Sequence, residues 1–207
     1  MAHRSDDVIV NALVRQALSS TQEVMGENGL NAVLRASGLE RFIGNFPPNN
    51  IEPGIKTADY ARFNQAIEDF YGRGGRGMLR RIGKASFQYG VREQAALLGI
   101  AGAALKLLPE KQRLKFILNG MAGALKKSNP NVNAWVEEGE RLAYLEDTCA
   151  ICHSRTSAKP ICHLYVGSIS EAVQWATGRS FEVTETHCMA KGDPYCRFEI
   201  GEAIGDA

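Results

Sequence analysis

Five cysteines stand at positions 149, 152, 162, 188 and 196, all in the final third of a 207-residue chain. An odd number argues against a disulfide framework, and their clustering points to a metal. Glu185, Cys188 and Cys196 have the spacing E-x2-C-x7-C, with Gly192-Asp193-Pro194 forcing a turn between the two cysteines. Two donors then lie where one strand ends, and the third returns on the next. Cys162 falls at the start of the preceding helix, where the partial positive charge of the helix end favours thiolate over thiol. Three thiolates and a carboxylate make the four donors of a closed tetrahedral zinc site, and soft sulfur selects zinc over magnesium or calcium. The same spacing admits buried free cysteines, which are common. His163 and His187 are as close in sequence as the carboxylate and could replace it.

Cys149-Ala-Ile-Cys152-His153 is a second constellation. C-x-x-C-H matches c-type haem attachment, a chemistry that needs an export route. Two thiolates two residues apart can also chelate a metal or act as a redox pair, with His153 as a further donor. An iron–sulfur cluster would have to take cysteines from the zinc set. The third reading is a pair of loop cysteines beside the first site.

The elements that position these residues are of two kinds. Up to about residue 128 the chain reads as helical. Val8–Leu18 is amphipathic, 29–36 is a short second helix, and 44–54 is a loop rich in Pro and Asn. Thr57 resembles an N-cap, with Asp59 in the first turn, for a helix that stops at Gly72. A helical pattern then runs from about Met78 to Leu108, apolar all round after Gln94 and so expected to be buried. Pro109 opens the next helix. Past Asn129-Pro130 the period changes. Residues 132–137 and 141–145 read as a β-hairpin. Pro160 reads as the first residue of a helix over 161–176, which Gly178 ends. Residues 181–186 and 195–200 read as two antiparallel strands. The order predicts an α+β fold, helices backing an antiparallel sheet. It divides into an N-terminal helix over 1–20, a plausible dimer contact, and one ligand-binding domain over 21–207, whose segment 149–200 is the cysteine-rich zinc lobe.

Composition narrows the classes. Lys and Arg number 24 against 23 Asp and Glu, so no net field draws the chain to nucleic acid or to anionic membrane. The longest apolar run, Ala95 to Leu105, is too short for a membrane span. Met1 to Leu13 has no signal-peptide core, and a cytoplasmic location with reduced thiols is expected.

The string Val183-x-Glu185-x-x-Cys188-x-Ala190-x-Gly192-Asp193-x-x-Cys196-x-Phe198-x-Ile200, preceded by Cys162, Gly167, Glu171, Ala172 and Gly178, resembles the 4-vinyl reductase (hydrocarbon-binding) domain family. The resemblance covers residues 20–200 and is specific over the last 40. It implies the fold of the ligand-sensing domains of phenol- and xylene-responsive regulators, similar also to trafficking-complex subunits that hold an acyl chain. It implies a structural zinc at Cys162, Glu185, Cys188 and Cys196, beside an apolar pocket for an aromatic ligand. A stand-alone member acts in bacteriochlorophyll synthesis, which makes a tetrapyrrole a second ligand class.

Candidate pocket residues are Phe87, Phe116, Trp135, Tyr144 and Tyr165, with Trp135 and Tyr144 expected to face each other across the hairpin. Gly72-Arg-Gly-Gly-Arg-Gly77 satisfies G-x-G-x-x-G, but a helix precedes it where a dinucleotide site needs a strand. It reads as a helix–helix connection, and the basic residues Arg73, Arg76, Arg80, Arg81 and Lys84 as a solvated face. Vinyl reduction needs a hydride or electron source, and the chain carries no nicotinamide or flavin fingerprint. A carrier, accessory or sensor of a hydrophobic small molecule is therefore expected over an enzyme, and a homodimer over a monomer. The alternatives are a vinyl reductase or its subunit, and a haem or redox protein using Cys149, Cys152 and His153.

Overall fold

The fold is described from a computed structural model, which covers residues 8–98, 105, 107–129 and 131–205. Two layers form an α+β domain. In chain order they are strand β1 (Val8–Val10), helix α1 (Asn11–Ala36), β2 (Pro53–Lys56), α2 (Thr57–Tyr71), α3 (Gly75–Leu98), α4 (Glu110–Ser128), β3 (Ala134–Glu138), β4 (Leu142–Glu146), α5 (His163–Thr177), β5 (Phe181–His187) and β6 (Cys196–Ala203). The main sheet is antiparallel with order β3-β4-β6-β5. All five residues of β4, in the middle of the sheet, are buried. Helices cover one face.

Val8-Ile9-Val10 begins as a strand instead of a helix. Three β-branched residues in a row suit an extended backbone, and they pair antiparallel with β2. That small sheet starts α1 without a capping side chain. The first free helix N–H groups, of Asn11 and Ala12, instead donate to the carbonyls of Glu52 and Asn50, both at 2.9 Å. The two helices expected at the N-terminus form one element interrupted at Gly26, whose φ of 75° and ψ of 168° lie outside the helical range. Thr57 is the first residue of α2 and not its cap; Lys56 holds the cap position, and the Thr57 hydroxyl has no hydrogen-bond partner. G-x-G-x-x-G forms a single 3-10 turn and the first turn of α3, with α2 before it. Arg73, Arg76, Arg80, Arg81 and Lys84 are exposed. Of the apolar run expected to be buried after Gln94, residues 94–104 lie outside those whose side chains are described; Leu105 is buried, but Leu107 and Leu108 are exposed, outside any helix.

The two central helices approach until their backbones touch. A Cβ on Gly83 of α3 would collide with the Leu164 carbonyl of α5, and one on Gly167 of α5 with the Arg80 carbonyl of α3. Ser168 Oγ donates to the Gly83 carbonyl at 2.9 Å across this crossing. Only glycine permits such an approach. The crossing fixes the height of α5, and so of its first turn, above the sheet.

The hairpin forms where its alternation places it, but in a different register. Trp135 lies opposite Leu145, and Tyr144 opposite Val136. Successive strand residues alternate faces, so Trp135 and Tyr144 do not pair. Trp135 packs edge-on against Tyr195 at 5.9 Å. Tyr144 joins Tyr165 and Phe198 in a three-ring cluster with centroids 5.6–6.3 Å apart.

Candidate functional site

The helix α5 starts at His163, two residues later than the expected 161. Pro160 precedes the helix, and Cys162 is its N-cap. The Cys162 N–H, one of the groups a helix start leaves unpaired, donates to Glu185 Oε2 of β5 at 2.8 Å. This leaves Glu185 Oε1 buried without a partner. After β5 the chain makes a short 3-10 turn and a left-handed Gly192 with φ of 94°. Asp193 Oδ2 then accepts the Cys188 N–H at 2.7 Å. The Met189 N–H points to Cys196 Sγ at 3.4 Å. The turn therefore returns Cys196 beside Cys188, as the spacing requires.

All five cysteine thiols are free, and each cysteine is at most 2% exposed. Their ligand atoms form two sets, each with all members within 4.8 Å of one another. One is Cys162, Glu185, Cys188 and Cys196; the other is Cys149, Cys152, Cys162 and Cys196. Cys149 Sγ lies 3.5 Å from Cys162 Sγ, and Cys152 Sγ lies 3.5 Å from Cys196 Sγ. Cys162 Sγ lies 3.9 Å from the sulfurs of both Cys188 and Cys196. A tetrahedral zinc with Zn–S bonds of 2.3 Å sets its sulfurs about 3.8 Å apart, so the donors are already spaced for ligation. Among the described residues, neither set contains a histidine.

The protons of this cluster are unevenly held. The thiol of Cys149 raises Cys152, but contacts from Cys162, Cys188 and Cys196 outweigh it and bring Cys152 down to about 6. Cys188 is raised by Cys152 and lowered further by Cys162 and Cys196, also to about 6. Burial opposes ionisation of Cys149, yet its three thiol neighbours pull it well below the ordinary value. Burial pushes Cys162 up, and the neighbouring thiols Cys149 and Cys152 push Cys196 up. Burial, then the charge of Cys188, raises Glu185 to about 9. A cation placed among these donors would reverse that last shift.

An apolar cavity of about 150 Å³ adjoins the cluster. It opens between α1, α3, α4, α5 and the sheet. Phe87, Tyr144 and Tyr165 line it, together with Leu13, Met121 and Leu164. Phe116, which is 39% exposed, and Trp135 are not among its lining residues. Ala150 and Ile151 form part of the wall. The two central residues of the C-x-x-C thus face the cavity while its two cysteines face the other thiols.

A smaller chamber of about 20 Å³ shares Ile9, Leu13, Leu125, Ser128 and Ala150 with the larger one. It is lined also by Thr57, Thr148, Glu146 and His153. Its size suits one water. Thr57 Oγ1, Thr148 Oγ1 and Glu146 Oε2 are buried there without partners. Burial raises Glu146 to about 8, against the lowering effect of a hydrogen bond from Tyr165. Sequence reasoning missed Glu146; its one signal is a carboxylate ending the otherwise apolar strand Leu-Ala-Tyr-Leu. His153 belongs to this chamber and to neither thiol set.

Fold and site together describe an α+β domain with an apolar cavity and a cysteine lobe. The fold is that of H-NOX domains. It is similar to an Fe(II) unliganded H-NOX protein from K. algicida, with a TM-score of 0.61 and 12% identity over 96% of this chain and 98% of that one. It is also similar to an oxygen-binding H-NOX domain related to soluble guanylate cyclases, with a TM-score of 0.59 and 12% identity over 93% of each chain.

Residues 145–202, which hold all five cysteines, match the V4R domain, and this match supports the V4R family. Two uncharacterized proteins of Methanocaldococcus jannaschii are similar in sequence. One is 34% identical over 71 residues, 33% of this chain and 31% of the relative. The other is 33% identical over 87 residues, 41% of this chain and 50% of the relative. The chain spans a third to a half of the length of these relatives. No described helix is long and apolar enough to cross a membrane.

Proposed function

We propose that this chain is a metal-pinned binding domain for a small aromatic molecule, acting as a sensor, carrier or accessory protein. The observation that carries the reading is the apolar cavity, walled on one side by the cysteine lobe. An apolar cavity of about 150 Å³ accepts a molecule of benzene size, which favours a single ring over a tetrapyrrole. The adjoining chamber, with Glu146, Thr57, Thr148 and His153, offers polar partners to one substituent. The ring would enter between Phe87 and the Tyr144–Tyr165 pair.

Zinc fits Cys162, Glu185, Cys188 and Cys196 in donor chemistry and spacing. The orphaned Glu185 Oε1 is a buried oxygen that a cation would satisfy. Zinc there would join α5, β5 and β6 by their ends, and its binding energy would add to folding.

Haem, the group concerned in one structurally similar protein, is not favoured by the described cavity. Among the described residues no histidine or cysteine lines it, and a space of about 150 Å³ is nearer to one ring than to a macrocycle. No redox step is assigned to it.

The test is a thermal-shift and calorimetric screen of the zinc-loaded protein against benzene, phenol, methylphenols, haem and protoporphyrin. Saturable binding of a one-ring compound, lost when the cavity is filled, is the expected result. Binding of the macrocycles alone would overturn the reading.

A further inference from the structure

The zinc reading uses four donors and leaves two behind. An ion on Cys162, Glu185, Cys188 and Cys196 leaves the buried sulfurs of Cys149 and Cys152 each 3.5 Å from a bound thiolate. An ion on the four-sulfur set instead leaves Cys188 and a buried, half-unpartnered Glu185. Either choice strands two good metal ligands in a site closed to water, where unpaired polar groups are costly.

We propose that the lobe holds two adjacent divalent zinc-type ions, bridged by the sulfurs of Cys162 and Cys196. Cys149 and Cys152 complete one ion; Cys188 and Glu185 complete the other. The inference rests on the zinc reading above and extends it by a second ion.

Three observations carry the proposal. The two donor sets share two residues, Cys162 and Cys196. Two four-coordinate ions that share an edge need six donors, two of them common to both. The chain supplies five thiols and one carboxylate in that sharing pattern. Thiolate sulfur can bridge because it keeps lone pairs after binding one metal.

The second observation is spacing. Four sulfur–sulfur distances across the cluster are 3.5–3.9 Å, close to the edge of one tetrahedron, about 3.8 Å. An iron–sulfur cluster carries its cysteines on the outside of a metal–sulfide core, and so needs them farther apart than these sets hold them.

The third is charge. Two divalent ions against five thiolates and one carboxylate leave the same net charge as one such ion held by four thiolates. The second ion thus lets every thiol ionise without a greater burden of buried charge. The Met189 N–H toward Cys196 Sγ and the start of α5 at Cys162 offset charge on the two proposed bridges. The Cys162 N–H on Glu185 Oε2 leaves Oε1 as the atom free to bind.

Cobalt(II) titration of the full-length, reduced, metal-free protein tests this, followed by thiolate-to-cobalt absorption and electron paramagnetic resonance. The expected result is saturation at two equivalents. The paramagnetic signal should rise to one equivalent and fall toward the second, as bridged ions couple. The double variant C149S/C152S should saturate at one equivalent and keep its signal. The reciprocal variant C188S/E185Q should also take one.

Saturation of the wild-type chain at one equivalent overturns the second ion, whatever the variants do. If that one site is lost in E185Q, the four-donor zinc reading stands alone. If it is lost in C149S/C152S, both fail in favour of a four-thiolate ion. Absence of any thiolate-to-cobalt band overturns both readings. Since the wild-type stoichiometry decides the matter, a variant that fails to fold does not remove the test.

Discussion

The backbone N–H of Cys162 and the carboxylate of Glu185 meet at 2.8 Å, 23 residues apart in the chain. The bond closes the first turn of α5 onto β5 and turns one carboxylate oxygen toward the thiols. Glu185→Gln keeps an acceptor for the N–H but supplies a neutral amide where a carboxylate would bind. It should weaken metal binding at least about tenfold, as changes around metal ligands do, and change the metal-free protein little. Glu185→Ala removes the acceptor too, and should cost the metal-free protein a further ~1–3 kcal/mol. Chelator competition and urea unfolding separate the two effects.

The crossing of α3 and α5 makes a sharper demand. Gly83→Ala or Gly167→Ala places a methyl group into a backbone carbonyl of the other helix. Overpacking of this kind costs about 3 kcal/mol or more, because the clash at each position is with backbone and not with a flexible side chain. Ser168→Ala loses only the hydrogen bond to Gly83, about 1 kcal/mol. Urea midpoints that fail to rank in this order would contradict the crossing.

Glu146 makes stability depend on pH. Its folded-state value is about 8, against 4.5 for an ordinary glutamate. Between those values the folded protein keeps a proton that the unfolded chain releases, so this contribution is full below pH 4.5 and is lost as pH rises through 8. The slope at its fullest is about 1.4 kcal/mol per pH unit for one proton. Glu146→Gln should flatten that part of the profile, measured by urea unfolding of the metal-free protein from pH 5 to 9.

The cavity can be filled from its α4 side. Ala124 lines it and is half-buried. Ala124→Phe should abolish one-ring ligand binding while holding or raising thermal stability, as cavity-filling changes do. In the wild-type protein a ligand at a hundredfold excess over its Kd should raise Tm by about 5–10 °C. An equal shift in the variant would place the ligand elsewhere.

Much of this was legible in the sequence, for identifiable reasons. The elements past residue 130 follow alternation and turn residues that local physics reads directly. Gly178 ends α5 in the left-handed conformation, with φ of 79°, and Gly192 turns the chain between Cys188 and Cys196. The sequence admits the C-x-x-C as a loop pair beside the first site, but its sharing of Cys162 and Cys196 in a second donor set was not legible in the same way. It depends on how a loop with little periodicity folds back, held by Ser157 N–H on the Ala190 carbonyl at 2.9 Å and by the Arg155–Glu68 ion pair at 2.7 Å. The pocket aromatics divide likewise. Tyr144 and Tyr165 meet because β4 and α5 are neighbours, whereas Phe116 and Trp135 face elsewhere for reasons of helix rotation and strand register that composition does not carry. Glu146 escaped notice because a carboxylate at a strand end is ordinarily solvated.

Ala150 and Ile151 belong to the cavity wall, while Cys149 and Cys152 belong to the thiol cluster. Four consecutive residues are therefore a partition with a different chemistry on each side. A guest that displaces this partition changes metal affinity by some factor, and the metal changes the guest's affinity by the same factor. Such a partition is a lever with two handles: apolar contact on one, thiol chemistry on the other. Oxidation or loss of metal on the sulfur side would be felt as a change of grip on the aromatic side.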